Sequence, residues 1–299
     1  MELDYTWRGA SGFRKEACFF VGYRSPKGEP FRPEQGDSWL FSYEGINVRT
    51  YVKKAGWITD TWCSPGGRGY ATDADGFVYS GPAGAAGWGH NQLDGVLTGV
   101  WGLDEQHVFV WGERAGSIAL FYRWDGSRWQ SAPAPERPIV ELHGLAPDLL
   151  VGVGDKGFIT RWDGSRWHTM QSPDASNLST VFVAAPDEIY AAGHSGALHT
   201  GSVHGWSSLV KIDEPIPAVA KWHDRVWVAT FSDRGLCTLD GPALTPVKPN
   251  LLVSDLDARG TLVFTTGNRI GDTVDGAAWT AYSTVDFINA TSNEPPLWE

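Results

Sequence analysis

Three histidines stand five residues apart in "HSGALHTGSVH": His194, His199 and His204. Imidazole is a common zinc ligand, and tetrahedral ligation needs four groups. On one strand a spacing of five sends successive side chains to opposite faces. His194 is expected in a loop and His204 in a hairpin turn, so the three share a metal only if turns bring them together. The cysteines, Cys18, Cys63 and Cys237, are odd in number, far apart and without a C-x-x-C pair. That pattern indicates reduced, buried thiols, with neither a disulfide framework nor a zinc knuckle. No metal and no cofactor is expected.

The carboxylates recur. Asp125, Asp163, Asp240 and Asp275 each precede a glycine. A catalytic acid needs surroundings that its copies lack, so repetition points to turn chemistry and no catalytic residue is assigned. Asp104, Asp148, Asp187 and Asp224 recur in a second set of turns, as turn residues or as an acidic ring on one face. The chain holds no Gly-x-Ser-x-Gly elbow, P-loop or dinucleotide fingerprint. "GVGDKG" (152–157) joins two expected strands, so it has no helix N-terminus to hold a phosphate.

The elements behind these residues show in a repeat. "RWDGSRW" stands at Arg123–Trp129 and again at Arg161–Trp167, 38 residues on. Around both copies a short apolar run leads to a polar turn and then to a strand ending in glycine. A third strand follows and runs into Asp-Gly, and a fourth starts at tryptophan. Weaker copies continue both ways. A bulky first-strand position gives the register: Trp7, Trp62, Trp101, His143, Phe182, Trp222 and Leu256, with gaps of 55, 39, 42, 39, 40 and 34. The long first gap is assigned to a loop insertion, Arg24–Ser38. Strands of four to seven residues bounded by Gly, Asp or Pro recur, and no segment sustains a helical apolar period.

Seven such units predict an all-β chain: a seven-bladed β-propeller with four antiparallel strands per blade. It is expected as one domain over 1–299, with the 24–38 insertion in blade one and a C-terminal tail at 284–299. The sixteen tryptophans are expected to wedge between blades, and Asp-Gly to make tight hairpins flanked by tryptophan. The string "VWG" with "VFVWG", leading into "RWDGS" and a further tryptophan, resembles the degenerate repeats of bacterial seven-bladed propellers. That resemblance implies the fold; function lives in the site. Sialidase Asp boxes and WD40 repeats fit less well, because Asp125 adjoins Gly126 and Trp124-Asp125 has no Gly-His partner.

The chain carries 24 Lys and Arg against 35 Asp and Glu, a formal net charge of −11. That balance argues against nucleic acid and anionic membranes and permits a basic partner. The start has no basic and apolar leader pattern, which predicts a cytoplasmic protein, expected to be a monomer in isolation. Repeated positions build scaffold, so the positions that vary are candidates for recognition. These are Glu113, Arg114, Asp155, Lys156, His194, Asp233, Arg234, Asn268 and Arg269 in the loops between second and third strands. Arg24 and Lys27 of the insertion join them. The favoured function is a non-enzymatic binding propeller recognising a protein partner, with an immunity protein that neutralises a basic toxin domain as the narrower form. The alternatives are a carbohydrate-binding, lectin-like propeller and a hydrolase or lyase with a central-channel site.

Overall fold

Turns space this fold. The computed structural model describes residues 3–28, 32, 36–45, 47–85 and 87–284. These form seven antiparallel four-stranded sheets, each built from four consecutive strands. Blade one is β1 (Leu3–Gly12), β2 (Cys18–Pro26), β3 (Asp37–Glu44) and β4 (Asn47–Ala55). Blade two is β5 (Ile58–Cys63), β6 (Arg68–Asp73), β7 (Phe77–Pro82) and β8 (Gly89–Gln92). Blade three is β9 (Val96–Asp104), β10 (His107–Arg114), β11 (Ile118–Trp124) and β12 (Trp129–Ser131). Blade four is β13 (Glu141–Ala146), β14 (Leu149–Gly154), β15 (Phe158–Trp162) and β16 (Trp167–Met170). Blade five is β17 (Thr180–Ala185), β18 (Glu188–Ala192), β19 (Ala197–Ser202) and β20 (Gly205–Lys211). Blade six is β21 (Val219–Trp222), β22 (Arg225–Ala229), β23 (Leu236–Asp240) and β24 (Ala243–Lys248). Blade seven is β25 (Val253–Asp257), β26 (Leu262–Thr266), β27 (Arg269–Thr273) and β28 (Thr280–Ser283). The architecture is the expected seven-bladed β-propeller.

The "RWDGSRW" repeat is a hairpin device. Asp163 Oδ1 accepts from Ser165 N at 2.9 Å, Ser165 Oγ at 2.7 Å and Arg166 N at 3.0 Å. Asp125 repeats the three bonds with Ser127 and Arg128. Gly126 and Gly164 take φ of +90° and +92°, where a side chain is strained. The flanking tryptophans pair across each hairpin, Trp124 with Trp129 and Trp162 with Trp167, both at 5.4 Å between ring centroids. In blade seven Asp275 takes the amides of Ala277 and Ala278 in the same way.

Contacts divide the described chain into two compact units, with blades one, two and seven in the first and blades three to six in the second. In the first, one cluster packs Trp7, Phe20, Phe41 and Tyr43 of blade one against Val263 and Ile270 of blade seven. A second packs Phe19 and Tyr51 against Ile58, Ala71 and Trp88 of blade two. Blade seven is tied to blade one by its first strand: Asp255 accepts from Ala10 N and Asp257 from Gly12 N, both at 2.9 Å. Arg259 pairs with Asp257 at 2.6 Å and donates to Ser11 Oγ at 2.7 Å and to the Cys63 carbonyl of blade two. No strand is exchanged between blades among the described residues, so this join rests on side chains and on isolated backbone bonds, Trp7 N to Gly267 O at 3.2 Å and Thr261 N to Phe13 O at 2.8 Å.

In the second unit the clusters again straddle neighbouring blades: Trp111 and Phe121 meet Leu142 and Phe158, and Val151 and Ile159 meet Val181 and Ile189. The bulky first-strand residues stack from blade to blade, Trp101 on His143 at 5.0 Å and His143 on Phe182 at 4.6 Å. Trp222 departs from the expected register. It pairs with Arg225 at the turn, and Ala220 occupies the place of His143, facing Trp227 as His143 faces Val151. Trp222 turns to the neighbouring His223, 4.0 Å away.

Many glycines serve the tryptophans directly. A Cβ on Gly99 would lie 2.0 Å from the Trp111 ring, one on Gly81 2.3 Å from Trp88 and one on Gly201 2.3 Å from Trp206. A large ring lies flat on a neighbouring strand only where that strand has no side chain.

Two expected boundaries differ. Arg24–Pro26 continues β2 and Asp37–Ser38 already belongs to β3, with Arg24 paired to Asp37. The insertion is therefore shorter than 24–38, because strand pairing runs into it from both sides. Its residues 29–31 and 33–35, and the tail from 285, lie outside the described residues.

Candidate functional site: the loop and linker face

In blades four to six the loop between second and third strands is bonded to a linker that runs between blades. Gly157 N donates to Ser176 O at 2.8 Å and Leu178 N to Gly154 O at 3.2 Å. Ile216 N donates to Gly193 O at 3.1 Å, and Asn250 N to Asp233 O at 3.0 Å. In blades four to six these bonds fix the backbone of loop and linker together, while linker residues such as Leu178 and Ile216 turn into the core.

In blade four a linker side chain also holds the loop. Lys156 has φ of +55°, and its amide donates to Asn177 Oδ1 at 2.8 Å. A lysine in the left-handed region stores strain that its surroundings must hold, a pattern concentrated at binding sites. Asp155 and Lys156 are both exposed. In blade six Thr230 Oγ1 closes the loop onto Gly235 O at 2.9 Å, and Asp233 and Arg234 project from it. Arg234 Nε stands 3.9 Å from Glu214 Oε1 on the preceding linker, a loose and solvated pair. His194 is exposed in the blade-five turn, whose neighbouring Ser195 carbonyl accepts from Lys211 Nζ at 2.7 Å.

Glu113 and Arg114 differ from expectation: they close β10, and the loop proper is Ala115–Ser117. In the first unit Asn268 occupies the turn after β26, while Arg269 already belongs to β27. Arg24 is no loop residue. It is half-buried in β2, ion-paired to Asp37 and laid over the Trp39 ring at 5.0 Å, so its charge serves the blade. Lys27 is exposed in the turn after β2. The residues of the two units are thus two local sets.

Sequence reasoning missed the apolar members of this face. Phe231, next to the Ser232–Gly235 loop, is 42% exposed, and Leu252, on the linker leaving blade six, is 49% exposed. Ile118, beside the blade-three loop, is 58% exposed. Periodicity gave no signal for them, because a lone apolar residue at a strand end reads as core.

The histidine series does not converge. His194 and His204 sit exposed in separate turns, and His199 is fully buried on β19. Among the described residues no three His, Cys, Asp or Glu are placed to hold a metal ion. No described helix is long and apolar enough to cross a membrane. The recurring acids serve turns: Asp104, the last residue of β9, takes the amides of Gln106 and His107 at 2.8 and 2.9 Å. Asp148, Asp187 and Asp224 lie in the equivalent turns.

The sequence matches no known family and no curated protein. Solved structures do match. The WD40 β-propeller domain of Doa1 superposes with a TM-score of 0.67 at 10% identity, covering 89% of this chain and 91% of that one. YCF48 from Cyanidioschyzon merolae gives 0.64 at 13% identity, covering 89% and 95%. YCF48 bound to D1 peptide gives 0.61 at 11% identity, covering 95% and 93%. At these identities the likeness is one of fold.

Proposed function

We propose that this chain is a non-enzymatic binding propeller that recognises a protein partner through its loop and linker face. The observation that carries the reading is the blade-four loop. There a lysine is held at positive φ by Asn177, presenting Asp155 and Lys156 on a fixed backbone. A preformed backbone lowers the ordering cost of binding. Exposed Phe231 and Leu252 supply apolar anchors among charged neighbours, the composition of a protein interface. One structural neighbour, YCF48, was solved with a peptide bound, which supports a peptide or protein ligand for this architecture. An immunity protein that neutralises a toxin is the particular role we favour within this class, on the net charge of −11.

Affinity capture from the source cells tests the reading. The wild-type chain is expected to retain a defined protein that the Lys156→Glu, Arg234→Glu double variant loses, the double variant melting as the parent does. Equal retention by the double variant would overturn the assignment of this face. A toxin domain among the retained proteins would support the particular role.

A further inference from the structure

The linker between blades four and five, residues 171–179, lies against a buried titratable group. His199 on β19 is fully buried, and both its ring nitrogens lack a hydrogen-bond partner among the described residues. Such orphaned groups are rare, because each costs the folded state free energy. Nε2 stands 3.4 Å from Asp174 Oδ1 on the linker, an ion-pair distance without hydrogen-bond alignment. The Asp174 side chain is 40% exposed, so displacing the linker is the short way from this imidazole to water.

The same linker holds the blade-four loop. The Asp174 carbonyl packs so closely on Gly157 that a Cβ there would lie 2.1 Å from it. Gly157 N donates to Ser176 O and Lys156 N to Asn177 Oδ1, both at 2.8 Å, and Leu178 N donates to Gly154 O at 3.2 Å. Asp174 thus touches the loop with its backbone and the buried imidazole with its carboxylate. The linker's own anchoring is incomplete: Ser172 Oγ and Ser179 Oγ are buried without a partner among the described residues.

The surroundings of the ring reject a charge. Its neighbours across the ladder are Ala191 and Ser208, both uncharged. Ala191 shares a core cluster with Val151 and Ile159, so this face looks toward blade four. The titratable groups on that side, Arg161 and His168 of blade four and His204 of the β19–β20 turn, lie further along with Trp206, and His168 is bonded to Asp163. Burial holds the His199 imidazole below its usual range. Asp174 pulls the other way, and Lys211 of β20 adds to the effect of burial. A histidine in water titrates near about 6.5. The closed linker therefore binds this proton less well than an opened one. Its stability is complete above pH of about 6.5 and falls as the pH drops below that.

We propose that His199 is a proton-operated latch: neutral, it lets the linker lie closed on the blade-four loop, and protonated, it turns to water, opens the linker and frees residues 155–157. That opening then weakens partner binding rests on the loop-face reading; the latch itself needs no partner.

Amide hydrogen exchange of the isolated chain at pH 7.5 and pH 5, corrected for intrinsic rates, tests it. Protection of Lys156, Gly157 and Leu178 is expected to fall at least about fivefold at the lower pH, while Ile189 in the blade-five ladder keeps its protection. His199→Phe is expected to abolish the fall. Asp174→Asn keeps an oxygen for the Ser176 amide but removes the charge that favours the imidazolium, so it is expected to enlarge the fall. This second variant decides the matter if the first does not fold. Equal protection at both pH values would overturn the proposal, as would a rise at pH 5, an equal loss at Ile189 or an undiminished fall in His199→Phe. A fall that Asp174→Asn leaves unchanged or reduces would do the same. Failure here leaves partner capture by the loop face standing, and failure of that capture leaves the latch standing.

Discussion

Glycine at the tip of "RWDGSRW" sets the backbone of the hairpin that the aspartate then bonds. Gly164 has φ of +92°, and a Cβ there would sit 3.0 Å from the Asp148 Cβ in the turn between β13 and β14. An L side chain forced into that region costs about 1–2 kcal/mol before any contact is counted. Gly164→Ala is therefore expected to lower the thermal midpoint by several degrees. Gly89→Ala, at a strand position with open space around the new methyl, is expected to change stability by under about 0.5 kcal/mol and so barely move the midpoint. Scanning calorimetry of the pair checks both, and equal effects would remove the turn from the account. This scale was the most legible in the sequence, because Asp-Gly flanked by tryptophan has a purely local cause. The glycines under Trp111, Trp88 and Trp206 were not legible, since each answers to a ring on another strand. Nor was Phe231, whose exposure is decided by how a loop meets a linker. Asp155, Lys156, His194 and Asp233 did lie in turns as their neighbours implied. Arg24 did not, because Asp37 and Trp39 capture it from the next strand.

At the scale of the element, β25 is an unusual strand, for it docks onto blade one through acids. Asp255 Oδ2 holds the Ala10 amide, and burial, with Asp257 adding to it, pushes the Asp255 carboxyl up to about 6. Unfolded, an aspartate titrates near about 3.9. The folded state thus holds this proton more tightly than the unfolded one. The contribution is fully present at pH below about 4 and is lost as the pH rises through about 6. At neutral pH the ionised carboxylate weakens the fold. Asp255→Asn keeps an oxygen for the Ala10 amide without the charge. It is expected to raise the thermal midpoint at pH 7.5 and to leave it nearly unchanged at pH below about 4. Melting curves across that interval test this, and a gain of equal size at both ends would show that titration is not the cause. The sequence could not foretell this strand's role. "SDLDARG" looks like any polar strand until Ala10, Ser11 and Gly12 are set beside it.

For the molecule as a whole, the question is where a net charge of −11 meets a partner. The loops between second and third strands of the second unit carry little of it: Glu113 with Arg114, Asp155 with Lys156 and Asp233 with Arg234 place an acid directly before a base in three blades. The acids gather at the other ends of the same second strands, where Asp104, Glu105, Asp148, Asp187, Glu188 and Asp224 lie in or beside the first turns. Glu188 is held there by Lys221 at 2.6 Å and Asp104 by His107 at 2.9 Å, while Asp148, Asp187 and Asp224 are exposed. Two roles separate by physics. Long-range charge sets how fast an oppositely charged partner arrives, and it is screened within about 10 Å at ordinary salt. Close pairs on a desolvated face set how long the partner stays. If the loop face is the docking surface, Asp148→Asn with Asp187→Asn and Asp224→Asn is expected to slow association of a cationic partner several-fold at low salt. The dissociation rate should stay the same. Arg234→Glu is expected to do the reverse, speeding dissociation while association changes little. Surface-plasmon measurements of both rates at two ionic strengths resolve the four terms. Faster dissociation from the triple asparagine variant would move the docking surface to the acidic turns, because only a residue in direct contact can shorten the lifetime of the complex.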